Sequence, residues 1–225
     1  MTQAPDILRI AIAQLNPIMG DIAGNLKLAE ATWVDARRQG ADLVVFTELF
    51  VCGYPPEDLV LKPSFVEACR VATEAFADGI KDGPGVIIGL PWRDESGLYN
   101  AAVLIDEGEI KAIRKKVDLP NYGEFDEKRV FDAANPQGPV NFRGVRIGIP
   151  ICEDIWGDLG VCEALAESGA EFLVVPNGSP YYRNKVDVRH QVVMRQVVET
   201  ELPLLFVHQR GGQDELVFDG ASFVI

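Results

Sequence analysis

The 225-residue sequence predicts an α/β fold: a mixed β-sheet with helices packed outside it. Two observations carry that expectation. Short runs rich in Val and Ile alternate with stretches whose apolar residues recur at helical spacing. One pair of runs, 98–106 and 109–116, is separated only by Glu107-Gly108. That is a hairpin signal, so the sheet cannot be wholly parallel.

The elements follow in chain order. LRIAIAQ (8–14) alternates and is rich in Ile, as a strand should be. Residues 23–38 place Leu26, Leu28, Ala29, Trp33 and Val34 at helical spacing. DLVVFTE (42–48) is a short apolar strand bounded by Gly40 and the CGYPP turn. Residues 57–80 read as helix, with Pro63 marking a break or a fresh start, because proline lacks the N–H that a helix interior needs. GVIIGLP (85–91) is a strand, and LYNAAVLID with EIKAIRKK forms the hairpin. Residues 117–138 read as a long loop. VRIGIPI (145–151) is a strand, LGVCEALAES (159–168) a helix, AEFLVVP (170–176) a strand and VDVRHQVVMRQVVET (186–200) a helix. LPLLFVHQ (202–209) and ELVFDGASFVI (215–225) are the last strands, with RGGQDE (210–215) turning between them. No repeat, linker or internal domain boundary is evident, so 1–225 reads as one domain. Its last strand stops without a capping element, which reads as a missing C-terminal end, though a sheet edge could also end there.

Composition narrows the function classes. Lys and Arg number 21 against 34 Asp and Glu, a net charge of −13. That balance argues against a nucleic-acid grip or an anionic membrane surface. The N-terminus lacks the basic stretch of a signal peptide, and no apolar run of about 18 residues occurs. The 4 cysteines form no C-x-x-C pair, and the 2 histidines are too few for a usual Cys/His zinc site. A reducing, cytoplasmic setting is expected, with no metal.

Three predicted strands end on chemically capable residues. DLVVFTE ends on Glu48, EIKAIRKK on Lys115 and Lys116, and VRIGIPI leads into Cys152. Ligands of open α/β sheets gather outside such strand ends. Singly, each has a bland reading: a turn carboxylate, surface charge, a small core residue. Two carboxylates, Glu153 and Asp154, follow Cys152 and oppose its ionisation. A lysine could offset them, since a unit charge pair at about 4 Å and an effective dielectric near 20 is worth about 4 kcal/mol. Glu48 could accept the thiol proton. A rival assigns the base to His208, at the end of LLFVHQ.

The wording of four separated segments adds to this. The order Glu, Lys, Cys resembles the carbon–nitrogen hydrolase, or nitrilase-like, superfamily. KVDLPNYGEFDEKRVF (116–131), PICEDIW (150–156), NGSPYYRNK (177–185) and GGQDELVFDG (211–220) resemble the glutaminase domains of glutamine-dependent NAD synthetases. The resemblance implies a four-layer α-β-β-α sandwich. It implies Glu48 as base, Lys116 rather than Lys115 as the lysine, and Cys152 as nucleophile. The backbone N–H of Glu153 would help hold the oxyanion. Tyr122, Ser179 and Lys185 would contact glutamine, and Glu124 or Glu127 would receive its ammonium. No cofactor is implied for this part. ATP and Mg²⁺ would serve a C-terminal synthetase domain that is not in this sequence, and a homo-oligomer is expected. Two other readings remain open: a stand-alone amidase for another small amide, and a catalytically idle scaffold domain.

Overall fold

The computed structural model describes residues 7–225. Two five-stranded sheets lie face to face. The first has the order β1 (Ile10–Ile12), β2 (Leu43–Val45), β3 (Gly85–Asp94), β4 (Gly97–Asp106) and β5 (Glu109–Lys115). Its first three strands are parallel, and β3, β4 and β5 run antiparallel in turn. The second sheet contains β6 (Val140–Phe142), β7 (Val145–Gly148), β8 (Phe172–Asn177), β9 (Leu204–His208) and β12 (Phe223–Val224), in the order β12-β9-β8-β7-β6. Strands β10 (Arg210–Gln213) and β11 (Leu216–Asp219) form a separate hairpin. The helices are α1 (Ile22–Arg38), α2 (Pro63–Gly79), α3 (Val161–Glu167) and α4 (Lys185–Thr200).

The period-two alternation of the strands explains the layers. On β2, Leu43 and Val45 face the second sheet, while Val44 faces α1 and α2. Ile87, Ala102 and Leu104 repeat the inward pattern, and Val86, Ile88, Val103 and Ile105 the outward one. In the second sheet Val174, Leu205 and Val207 meet the first sheet, while Leu173, Val175, Leu204 and Phe206 pack under α3 and α4. Strands apolar on both faces thus produce three apolar seams between four layers, α-β-β-α, in place of one sheet with helices outside. Among the described residues no helix is long and apolar enough to cross a membrane.

Most elements lie where the sequence places them. Pro63 is a fresh start: a short 3₁₀ turn (Glu57–Leu61) precedes α2, and Pro63 opens that helix, where its missing N–H costs nothing. Glu107 and Gly108 both have positive φ (52° and 82°), as a tight hairpin turn requires. Several readings need correction. β6, only VNF, lies between the loop 117–138 and the strand 145–151, where no element is expected. The run 215–225 is not one strand but β11 and β12, in different sheets. VRIGIPI ends as a strand at Gly148, not Ile151. RGGQ is itself a strand, and the turn falls at Asp214 and Glu215.

Candidate active site

The C-terminal ends of β2, β5, β7 and β8 come together at one edge of the sandwich. Past β2 the chain runs through Thr47 to Glu48, and Gly89 on β3 makes this path available. Any side chain at Gly89 would run into the backbone of Thr47, Glu48 and Leu49. Lys116 immediately follows β5. Its N–H bonds the Asn100 carbonyl of β4 at 2.8 Å, which turns the side chain inward. Lys115 points the other way, pairing with Asp94 at 2.5 Å and lying 4.1 Å over the Tyr99 ring. Cys152 opens a 3₁₀ turn (Cys152–Ile155) after β7 and holds a left-handed φ of 46°. Such a backbone costs about 1–3 kcal/mol and persists where the surroundings over-determine it.

Glu48 and Lys116 meet at 2.7 Å, both fully buried. A second carboxylate joins them: the Lys116 ammonium also donates to both oxygens of Glu127, at 3.0 and 2.9 Å. Asn100 donates to Glu48 at 2.8 Å, and the Tyr54 hydroxyl donates to Glu127 at 3.1 Å. The other Glu48 oxygen, Oε2, is buried without a partner. Gly178 lets it stay there, because a β-carbon at that position would meet the Tyr54 ring and come within 3.1 Å of Oε2.

The cluster therefore holds one ammonium against two carboxylates. Burial, then Glu48, push the Cys152 thiol well above the ordinary range. Lys116 and the N–H of Gly178 pull it down, and do not prevail. Lys116 does not deliver a preformed thiolate, contrary to the simplest reading of its charge. Burial would lower the ammonium's own pKa, but Glu127, Glu48 and Cys152 together hold it above the usual value. Burial raises the Glu127 carboxyl despite Lys116. A protonated thiol under the influence of a carboxylate that keeps one oxygen free is suited to proton transfer in step with attack.

The two acidic neighbours of Cys152 behave differently. Glu153 raises the thiol pKa, but its carboxylate is tied to the Tyr122 hydroxyl at 2.9 Å. Asp154 is buried and accepts three backbone N–H groups. Burial nonetheless pushes its carboxyl up to about 7.

The remaining candidate residues surround the same turn. Ser179 follows Gly178, and its hydroxyl is buried with no partner. Lys185 opens α4, with its ammonium 4.2 Å over Trp156 and 4.6 Å over Tyr182. It makes no ion pair among the described residues. Glu124 is exposed, whereas Glu127 is buried against Lys116 and is not placed as a free receiver of a substrate ammonium. His208 does not serve the thiol: its ring nitrogens face the carbonyls of Gln209 and Ser179, each at 2.6 Å. Burial, then Arg189, lower its pKa to about 4. No group of His, Cys, Asp and Glu among the described residues has metal-site geometry.

Sequence reasoning missed Asn100 and Tyr54, and named Glu127 only as a receiver of the substrate ammonium and not as a partner of Lys116. Glu127 lies in the charged run GEFDEKR, which reads as a solvated loop. The available signal was length: 22 residues of loop inside a compact α/β fold are unusual and often functional.

Known proteins resemble the chain over nearly its whole length. A glutamine-dependent NAD(+) synthetase of Rhodobacter capsulatus is 47% identical over 220 residues, covering 98% of this chain and 40% of the relative. One from Thermotoga maritima is 39% identical, with 97% of this chain and 38% of the relative covered. The chain thus spans about 40% of the length of these curated relatives. Among solved structures, glutamine-dependent NAD+ synthetase from Acinetobacter baumannii, in complex with ADP, superposes with a TM-score of 0.91. It is 35% identical, with 96% of this chain and 41% of that one covered. An amidase variant from Nesterenkonia sp. AN1, with acrylamide added at its active-site cysteine, gives a TM-score of 0.84 at 28% identity. There 97% of this chain and 85% of that one are covered. The family model described as Carbon-nitrogen hydrolase matches residues 9–225, and the chain belongs to that family.

Proposed function

We propose that this chain hydrolyses the side-chain amide of L-glutamine to glutamate and ammonia through a thioester on Cys152. The observation that carries the reading is the buried contact of Lys116 with Glu48 at 2.7 Å, with Glu48 Oε2 unpartnered on the electrostatic border of the Cys152 thiol. Glu48 takes the thiol proton as sulfur attacks the amide carbon. Lys116 and the N–H of Glu153, in the first turn of its 3₁₀ segment where an N–H has no intrahelical partner, hold the oxyanion. The C–N bond breaks, Glu48 returns the proton to nitrogen, and ammonia leaves. Glu48 then deprotonates a water, which attacks the thioester. Sulfur departs, recovers the proton, and glutamate is released. These steps draw on the chain's own side chains and need no cofactor.

Glutamine, rather than another amide, is favoured by the buried Lys185 ammonium. Its lack of a carboxylate partner suits the α-carboxylate of a free amino acid. Tyr122 and the unpartnered Ser179 hydroxyl would orient the molecule. Relatives in which this chain spans only part of the length support a longer context. In it, the ammonia passes to a C-terminal synthetase portion that uses ATP and Mg²⁺ to amidate deamido-NAD. A cytoplasmic homo-oligomer belongs to the same proposal. The test is incubation with glutamine and a panel of small aliphatic and carbamoyl amides, with hydroxylamine present to capture the acyl group. Glutamyl hydroxamate as the main product supports the reading. Turnover of short aliphatic amides with glutamine untouched would replace it with a stand-alone amidase.

A further inference from the structure

The side chain of Asp154 joins the two halves of the reacting pair through their backbones. It is 4% exposed and forms no ion pair among the described residues. Oδ1 accepts the N–H groups of Val117 at 2.9 Å and Asp118 at 2.8 Å. Oδ2 accepts the N–H of Ile151 at 2.8 Å. Val117 and Asp118 directly follow Lys116, and Ile151 directly precedes Cys152. These segments leave β5 and β7, which belong to different sheets and share no ladder. A further bond closes the clamp, as the N–H of Asp154 returns to the Ile151 carbonyl at 3.1 Å. The loop so formed encloses Cys152, whose left-handed φ would otherwise relax.

We propose that Asp154 is a positioning residue that fixes the spacing between the Lys116 ammonium and the Cys152 sulfur by clamping the chain just after one and just before the other. The inference rests on reading Cys152 as the reacting thiol and Lys116 as its electrostatic partner. It does not depend on which amide is cleaved. An ionised carboxylate offers acceptors on both oxygens, which three convergent N–H donors require. An asparagine amide of the same shape presents an NH₂ to at least one of them and opens one side of the clamp. Displacements of about 1 Å at a reacting pair can cost about a hundredfold in rate.

The test compares wild type, Asp154→Asn and a control, Val66→Ala, which opens a cavity on the buried face of α2, a helix that contributes no residue to the site. Each is assayed for glutamine kcat and KM, for Cys152 alkylation by iodoacetamide, and for melting temperature. Asp154→Asn is expected to lose about a hundredfold in kcat and to slow alkylation, with KM nearly unchanged. Val66→Ala is expected to lower the melting temperature and to alter neither rate. Wild-type kcat and alkylation in Asp154→Asn would overturn the proposal, as would equal rate losses in the two variants at equal melting temperature. If Asp154→Asn does not fold, amide hydrogen exchange on the unsubstituted chain decides. Strong protection of the Val117, Asp118 and Ile151 amides supports the clamp, and exchange at free-peptide rates overturns it. A wild-type chain inert to glutamine, whose alkylation still depends on Asp154, would refute the glutamine reading and leave the clamp standing.

Discussion

Replacing Glu48 with Gln should move the reactivity of Cys152 and the turnover of the enzyme in opposite directions. In the structure Glu48 does two things to the thiol. Its negative charge is the largest influence after burial holding the thiol pKa up, and in the proposed mechanism its buried, unpartnered Oε2 takes the proton. Gln keeps the shape and an acceptor for the Lys116 ammonium but removes the charge and the basicity. A unit charge at about 5 Å and an effective dielectric near 20 contributes about 3 kcal/mol, or about two pKa units. The Cys152 pKa should therefore fall by about two units, and alkylation by iodoacetamide below that pKa should accelerate. Turnover should fall by about 10²–10⁴-fold, because no general base remains. The assay is a pH series of alkylation rates, read by intact mass, beside steady-state glutamate release. A thiol pKa that is unchanged or raised in Glu48→Gln would refute the electrostatic reasoning. A kcat within about tenfold of wild type would refute the assignment of Glu48 as base.

Other expectations are simpler to state. Lys116→Met leaves Glu48 and Glu127 facing each other without their shared cation and should cost about 3–5 kcal/mol in denaturant unfolding, as well as slowing thioester formation by orders of magnitude. Lys185→Ala should raise the glutamine KM with kcat largely kept, and a pure kcat loss would remove it from the substrate α-carboxylate. His208 has its pKa lowered from 6.5 to about 4, so the stability it contributes is present above pH 6.5 and is lost as pH falls through 4. The gap corresponds to about 3 kcal/mol, and unfolding midpoints of His208→Gln should decline less steeply between those pH values than those of wild type.

The strands were legible because Val- and Ile-rich runs alternate in small, well-bounded segments, and the hairpin because Glu107-Gly108 sits between two of them. The division into two sheets was not legible from periodicity. Runs such as LVV and FLVV are apolar on both faces and do not reveal which other run they cover. That architecture came from the resemblance of four motifs. β6 escaped notice because three residues carry too little pattern. At the site, Glu48, Lys116 and Cys152 stand out because they follow predicted strands, whereas the pairing of the loop residue Glu127 with Lys116 leaves no mark in the sequence pattern. Glu127 is disguised by its charged neighbours, and nothing in CGYPP signals that Tyr54 reaches it across 73 positions of chain. Asp154 reads in sequence as a charge opposing the thiol. In the fold its carboxylate is engaged by backbone donors on both sides of the reacting pair.

All four cysteines are buried and free, so burial alone cannot mark the nucleophile, and only chemistry separates Cys152 from Cys52, Cys69 and Cys162. The most direct measurement is peptide mapping of the chain after treatment with a glutamine-shaped electrophile, with and without excess L-glutamine. One adduct per chain on Cys152, suppressed by glutamine and absent from Cys152→Ala, is the predicted result. Modification spread over the other three cysteines, or labelling of Cys152 that glutamine does not suppress, would contradict it.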